Sequence, residues 1–408
     1  MNIAIIGGGP AGMRAAEIAA AGNASVTLFD AKPSVGRKFL VAGTGGLNLT
    51  RAETAERLAT RYSGHGMPEH LWPSLIADFD SSAFREWAHG LGIETFAASS
   101  GRVYPVGLKA ARLLRRWKAR LDELGVCFKM RHRWTGFATN PTPDDLQLKM
   151  ISPEGHPVVF KADAVILALG GGSWPLTGSD GSWIKILEQQ GVAIAPLEPA
   201  NCGWEVGWPA SVLEKAEGKP LKNIVARAGE QQVEGELLIT RYGIEGGALY
   251  ALGANLRALK NANGTAELSL DLKPGSTAKQ LISRLGTLGR SPLNLLADAR
   301  SRWRLSPAAF ALLESRSPYA TPGELVEAAK DFRLTLRGPR PLNEAISSAG
   351  GICWSQLTDG LMFRYLPGVF AAGEMIDWEA PTGGYLLQGC MVTGHRAARS
   401  ALEWLRSR

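Results

Sequence analysis

The chain has 408 residues, 45% of them apolar and 20% charged, a globular composition with length enough for two or three domains and a large core. Its net charge is +7, from 45 Lys and Arg against 38 Asp and Glu; no basic block is dense enough for a nucleic-acid arm, and the surplus suits an anionic cofactor. The four cysteines, Cys127, Cys202, Cys353 and Cys390, form no C-x-x-C pair and signal neither a redox disulfide nor a zinc site. No apolar run reaches membrane-spanning length. The first strand begins at residue 2 with no leader before it, so a soluble cytoplasmic protein is the expectation.

Residues 3–6 form a short apolar run, the pattern of a strand buried on both faces of a parallel sheet. Gly7, Gly9 and Gly12 follow as G-x-G-x-x-G, with Pro10 and Ala11 between them. The first glycine permits a tight turn, the second lets a pyrophosphate approach the backbone, and the third lets the helix pack on the strand. An Ala-rich helix, a second strand over 25–29 and then Asp30 complete the unit. That acid lies where a carboxylate binds a ribose hydroxyl. This constellation binds an ADP moiety and by itself does not separate NAD(P) from FAD.

Beyond Asp30 and Ala31, residues 36–50 are Gly-rich and place Arg37 and Lys38 close to the ribose-binding acid. They read as a loop for the far half of a long cofactor. Residues 51–95 have helical spacing. Residues 110–124 predict a helix whose basic stretch, 112–120, is a solvated face. A strand over 126–130 leads to Trp134, near where a third nucleotide-fold strand meets adenine, and 146–151 with 157–161 predict a hairpin. A second buried strand over 164–168 runs into Gly170, Gly171 and Gly172.

The glycine patterns stop after Gly191. Residues 193–340 predict short strands with a helical block over 277–332, a β-rich and helical insertion serving as substrate or lid domain. Cofactor patterns resume at 341–408, where a strand ends in Gly373-Glu374 and Gly383-Gly384-Tyr385 opens the last helix. The expected domains are therefore 1–192 with 341–408, interrupted by 193–340. Three glycine-rich strand ends around one ligand favour FAD over NAD alone. The acid at 374 suits the ribitol and second phosphate, and the last helix suits the N1–C2=O side of the flavin. Lys38, Thr44, Asn48, Tyr385 and Gln388 are candidate polar groups near the ring. Tyr385 is read as packing on the ring or donating a proton. His65, His70 and His89 are read as structural, and no catalytic pair is assigned.

The sequence resembles the YhiN/BaiN-type bacterial flavoproteins, NAD(P)/FAD-dependent or aminoacetone-oxidase-like FAD-binding enzymes. The resemblance rests on GGGPAG at 7–12, GRKFLVAGTGGLNLT at 36–50, GRVYPVGLKA at 101–110 and ALGGGSWPLTGSDG at 168–181. It continues in PLNEAISSAGGI at 341–352, FAAGEMID at 370–377 and TGGYLLQ at 382–388. It implies an α/β fold, a discontinuous glutathione-reductase-type FAD-binding Rossmann domain with an inserted β-barrel-like plus helical domain. It implies cofactor contacts at Gly9, Ala11, Gly12, Asp30, Arg37, Lys38, Gly43, Asn48, Trp134, Glu374, Gly384, Tyr385, Leu386 and Leu387; Ala168 lies in the same motifs. The chain departs from the family at Gly46-Leu47, where Arg-Cys is common, at Leu386, where Asn is usual, and at Asp30, where Glu is commoner. The expected activity is an FAD-dependent oxidoreductase acting on a small molecule, with NAD(P)H as transient reductant. The alternatives are an oxygen-using amine or aminoketone oxidase and an RNA-directed flavoprotein. Neither the substrate nor the oligomeric state is legible.

Overall fold

A computed structural model describes residues 1–286 and 295–408. Five parallel strands form the central sheet: β1 (Asn2–Ile6), β2 (Ser25–Asp30), β3 (Cys127–Met130), β4 (Ala164–Leu167) and β5 (Val369–Ala371). Their spatial order is β3-β2-β1-β4-β5. This is the 3-2-1-4-5 order of a doubly wound dinucleotide fold, whose strand order switches between β1 and β4 while all five strands stay parallel. β4 and β5 are buried throughout, as strands covered on both faces must be.

Four helices matter to the site: α1 (Pro10–Ala21), α2 (Arg37–Ala42), α3 (Ala110–Glu123) and α4 (Tyr385–Arg406). The segment expected to be a glycine loop thus begins as a helix, α2. Gly36 in the left-handed region starts it, and Phe39 anchors it in the core. The glycines dominate the composition of this stretch, but the six residues between Gly36 and Gly43 contain none and form the helix. Residues 51–95 hold three short helices, Ala55–Ala59, Leu71–Asp78 and Ser81–Gly90, and the predicted hairpin gains a third strand, Arg133–Phe137.

The chain divides into two compact units, Met1–Glu198 with Ser347–Arg408, and Pro199–Ile346. The second has six antiparallel strands in the order Trp204–Glu205, Gly243–Glu245, Gln231–Ile239, Pro220–Ala228, Ala266–Asp271 and Phe332–Leu336. The chain after the last strand returns to the first. Glu205 donates its N–H to the Gly338 carbonyl at 2.8 Å and accepts from the Arg337 N–H at 2.9 Å. That pairing closes the sheet and removes its edges.

In the first unit, a buried polar cluster ties α1 to its neighbours. Glu17 accepts from the indole N–H groups of Trp87 (2.9 Å) and Trp117 (3.1 Å) and pairs with Arg14 (3.0 Å) and Arg120 (3.2 Å). The Arg14 guanidinium lies over the Phe79 ring and 3.2 Å from His395 Nδ1. Arginine has no acceptor, so this ring nitrogen accepts and the imidazole is neutral. Burial, then the Arg14 charge, push the His395 pKa down to about 4. The unfolded chain binds a proton near pH 6.5 that the folded chain refuses until about 4, so stability falls as pH drops through that window. The loss is on the order of 3 kcal/mol. In urea titrations from pH 7 to 4.5, His395→Gln should show a shallower loss of stability than the wild type; equal slopes would refute this role.

Candidate cofactor site

The site begins where β1 ends. Gly7 has φ +108°, and a methyl group there would overlap the Ala168 carbonyl at the end of β4. A methyl group on Gly12 would overlap the Gly7 carbonyl. Gly9 differs, because its Cβ direction faces open space with nothing within 4 Å. Gly9 also caps α1 without any side-chain cap, and Pro10 occupies the first turn. The N–H groups of Ala11 and Gly12 therefore face outward at the positive end of the helix, as a pyrophosphate site requires.

Asp30 terminates β2. Its Oδ2 accepts from the Gly8 N–H and its Oδ1 from the Lys32 N–H, both at 2.7 Å. Burial nevertheless pushes its pKa up, against those hydrogen bonds and the Lys32 and Arg37 charges. Ala31 and Arg37 are exposed beside it.

Four distant segments meet at Lys38. Its Nζ donates to Glu374 Oε2 at 2.7 Å and to Ser173 Oγ at 2.8 Å. Glu374 is 8% exposed, and its other oxygen accepts from the Ser348 N–H at 2.9 Å. Ser348 Oγ in turn accepts from the Gly172 N–H at 3.2 Å, and Gly171 has no room for a side chain against that hydroxyl. Gly373 donates its N–H to Thr393 Oγ1 on α4 at 2.9 Å. Burial, then the Glu374 charge, push the neighbouring Cys390 thiol up to about 12, so it stays protonated. The sequence reading assigned Lys38 and Glu374 separate roles; the structure pairs them and neutralises both charges. Ser173 and Ser348 were missed as partners, although both lie in family motifs.

At the start of α4, Gly384 has φ +100°, and a side chain there would overlap the backbone of Thr50. Tyr385 opens this helix with its side chain held by partners from a distant segment. It is buried, its hydroxyl donates to Glu53 Oε1 at 3.0 Å, and Arg51 and Arg61 flank its ring. Burial first pushes its pKa up to about 12. A phenol so held stays protonated, with its hydroxyl bonded to Glu53, a partner that no motif marked. Gln388 is fully buried and donates to the Phe79 carbonyl at 2.6 Å. Leu386 and Leu387 pack against the core. His65, His70 and His89 are exposed, and His70 meets Asp359 at 3.1 Å. Thr44 is exposed and bonds the Val41 carbonyl within its own turn, and Gly43 caps α2. Trp134 is buried edge-to-face against Phe137.

These residues fit a long dinucleotide. Gly9 offers a cradle that a Cβ would fill. Asn48 Oδ1, Trp134 Nε1 and Ser179 Oγ are buried polar atoms with no hydrogen-bond partner among the described residues, and such atoms are costly unless a ligand or water satisfies them. Gly170, beside Ser179, accepts from the Trp183 indole at 2.8 Å. Asp377, also buried, has an unpartnered Oδ2, and burial raises its pKa. Among the described residues no cluster of His, Cys, Asp and Glu could hold a metal ion, and no helix is long and apolar enough to cross a membrane.

A Rossmann fold with this extended cradle defines the class: an FAD-binding flavoprotein and an oxidoreductase. The chain belongs to the family described as HI0933-like protein Rossmann domain, which matches residues 1–400. It is similar to the 3-dehydro-bile acid delta(4,6)-reductase of Clostridium scindens, with 28% identity covering 98% of this chain and 99% of that one. It is also similar to the ribosomal RNA dihydrouridine synthase of Escherichia coli, with 23% identity covering 94% of each. Its fold resembles the 3-ketosteroid-delta4-(5alpha)-dehydrogenase of Rhodococcus jostii RHA1, with TM-score 0.54 and 15% identity, covering 98% of this chain and 96% of that one.

The two glycines make opposite predictions. Gly9→Val should fold with near-normal stability and purify with little flavin, read as visible absorbance per protein, because only the ligand occupies that space. Gly12→Val should be destabilised by roughly 1–3 kcal/mol or more, because it overlaps backbone. A yellow Gly9→Val protein would remove Gly9 from the site.

Proposed function

We propose that the chain is an FAD-dependent reductase, reduced transiently by NAD(P)H, that saturates a carbon–carbon double bond conjugated to a carbonyl in a small molecule. One observation carries the nicotinamide part. Among the described residues, the β1–α1–β2 unit is the only glycine-rich strand–helix unit of dinucleotide type, and the six-stranded sheet of the second unit is antiparallel throughout. NAD(P)H thus has no Rossmann domain of its own there and meets the flavin directly. The acceptor class is supported by the names of two relatives. A delta(4,6)-reductase of a 3-dehydro compound and a dihydrouridine synthase both add two hydrogens across a double bond near a ring carbonyl.

Bound FAD supplies hydride acceptance and donation. The chain's part is to hold and orient it. The Ala11 and Gly12 N–H groups would hold the pyrophosphate and Asp30 the ribose. The Lys38–Glu374 pair, with Ser173 and Ser348, would serve the ribitol and second phosphate. In balance, NAD(P)H loses a hydride, the β-carbon of the double bond gains it, and a proton from water completes the α-carbon. A second reading, in which the double bond lies in an RNA base, is favoured by the similarity to the E. coli ribosomal RNA dihydrouridine synthase and by the net charge of +7.

Anaerobic mixing with NADH or NADPH should bleach the flavin far faster than buffer alone, and 2-cyclohexen-1-one should then restore the yellow colour. No acceleration by either nucleotide would overturn the proposal. Peroxide formed from aminoacetone without nicotinamide would replace it with an amine or aminoketone oxidase. Salt-sensitive tRNA binding would support the RNA reading.

A further inference from the structure

The second unit holds a cleft of about 690 Å³ to which four chain segments contribute. Five cations line it: Lys222, Lys273, Arg284, Arg302 and Arg304. No carboxylate lines it, and none of the five forms an ion pair among the described residues. Asp271, next in sequence to the lining residue Leu272, is buried and already committed, with Lys330 at 2.5 Å and Arg227 at 3.9 Å. Lys330 also donates to the carbonyls of Lys273 and Ser276, so these dipoles are turned to a cation outside the lining. The positive charge in the cleft is therefore left uncompensated. Burial, then the Arg284 and Arg304 charges, push the Lys273 ammonium below its usual range.

The backbone points the same way. Two of the few non-glycine residues with positive φ, Asn223 (+51°) and Arg304 (+50°), both line this cleft. Such conformations carry strain that persists at ligand-binding positions. Asn223 lies at the register shift in strand Pro220–Ala228. Arg304 sits between helices Leu295–Arg302 and Pro307–Glu314, in the turn that contributes Trp303 and Ser306 to the lining. Arg284 is braced by Ser276 Oγ at 3.1 Å, and Arg302 by the Arg284 carbonyl at 2.9 Å. Two of the three guanidinium groups are thus pre-positioned, as bidentate phosphate recognition favours.

We propose that this cleft is a binding site for a ligand carrying two or more phosphate groups, either a free nucleotide or consecutive phosphates of a nucleic-acid strand. Five unpaired cations exceed what a single phosphate neutralises, and a cleft of this volume suits a nucleotide-sized group. The site is separate from the flavin cradle in sequence and does not rest on the reductase reading.

The test uses the full flavoprotein at low ionic strength, with two probes: pyrophosphate by calorimetry, and a labelled single-stranded RNA of about ten nucleotides by anisotropy. The Lys222→Gln/Arg302→Gln variant should bind the relevant probe roughly tenfold more weakly or worse. Arg112→Gln/Arg115→Gln, which removes the same charge from the exposed face of α3, should leave binding within about twofold. Should the first pair not fold, judged by flavin content and melting, Arg302→Gln alone is expected to weaken binding several-fold. Loss of pyrophosphate affinity with RNA binding untouched assigns a free nucleotide. Loss of RNA affinity, with pyrophosphate competing, assigns a strand. The proposal is overturned if neither probe binds the wild type, or if the α3 control loses as much affinity as the cleft variant.

Discussion

The first unit depends on backbone-to-backbone approach around α1. Gly12 seats the helix on the turn after β1, Gly7 brings that turn against the end of β4, and Gly394 brings α4 against the Ala11 carbonyl. At each point a single methyl group would overlap backbone, which cannot swing aside as a side chain can. The last helix of the chain is thereby locked to the first. The glycine motif works as one side of a three-way contact whose other sides come from residues 168 and 394.

That contact brings Lys38, Ser173, Ser348 and Glu374 together. A partly buried ion pair of this kind is a poor source of net stability, because desolvation offsets much of the attraction. Its effect is positional: a lysine from α2 is held at a carboxylate that follows β5, 336 positions away. The same neutralisation changes the electrostatics of the site. Lys38 no longer counts as a bare cation, and the positive contribution comes instead from uncapped helix starts at Gly9 and Gly384.

The basic surplus of the chain is distributed by the fold in a way no linear window reveals. The densest basic stretch, 112–120, lies on α3 with Leu113, Trp117 and Leu121 buried beneath it. Its Lys118 pairs with Asp122, and its Arg120 with Glu17. A second set of cations, without ion pairs among the described residues, lies at 222, 273, 284, 302 and 304, too sparse in sequence to register as a patch. Charge density in one dimension and in three are different quantities, because carboxylates from both near and distant segments compensate part of the first.

Much of the nucleotide-binding half was legible in the sequence, because its signals are local. An apolar run, a glycine triplet, an Ala-rich helix and an acid at fixed spacing constrain one another within thirty residues. The return of the chain at 370–388 was legible because it repeats the same strand-to-glycine pattern. The sequence also marked the insertion by its lack of such patterns, while its closure through Glu205 and Gly338 was not readable, since strand pairing across more than a hundred residues has no local signature. Only the tertiary structure decided the roles of side chains at the reactive end. Tyr385 read as a group near the cofactor, and the structure adds its partners Glu53, Arg51 and Arg61. His395, which carried no motif, proved to be the strongly perturbed histidine because α4 sets it beside Arg14. A residue type shows what a side chain can do; its partners, chosen by packing from distant segments, decide what it does.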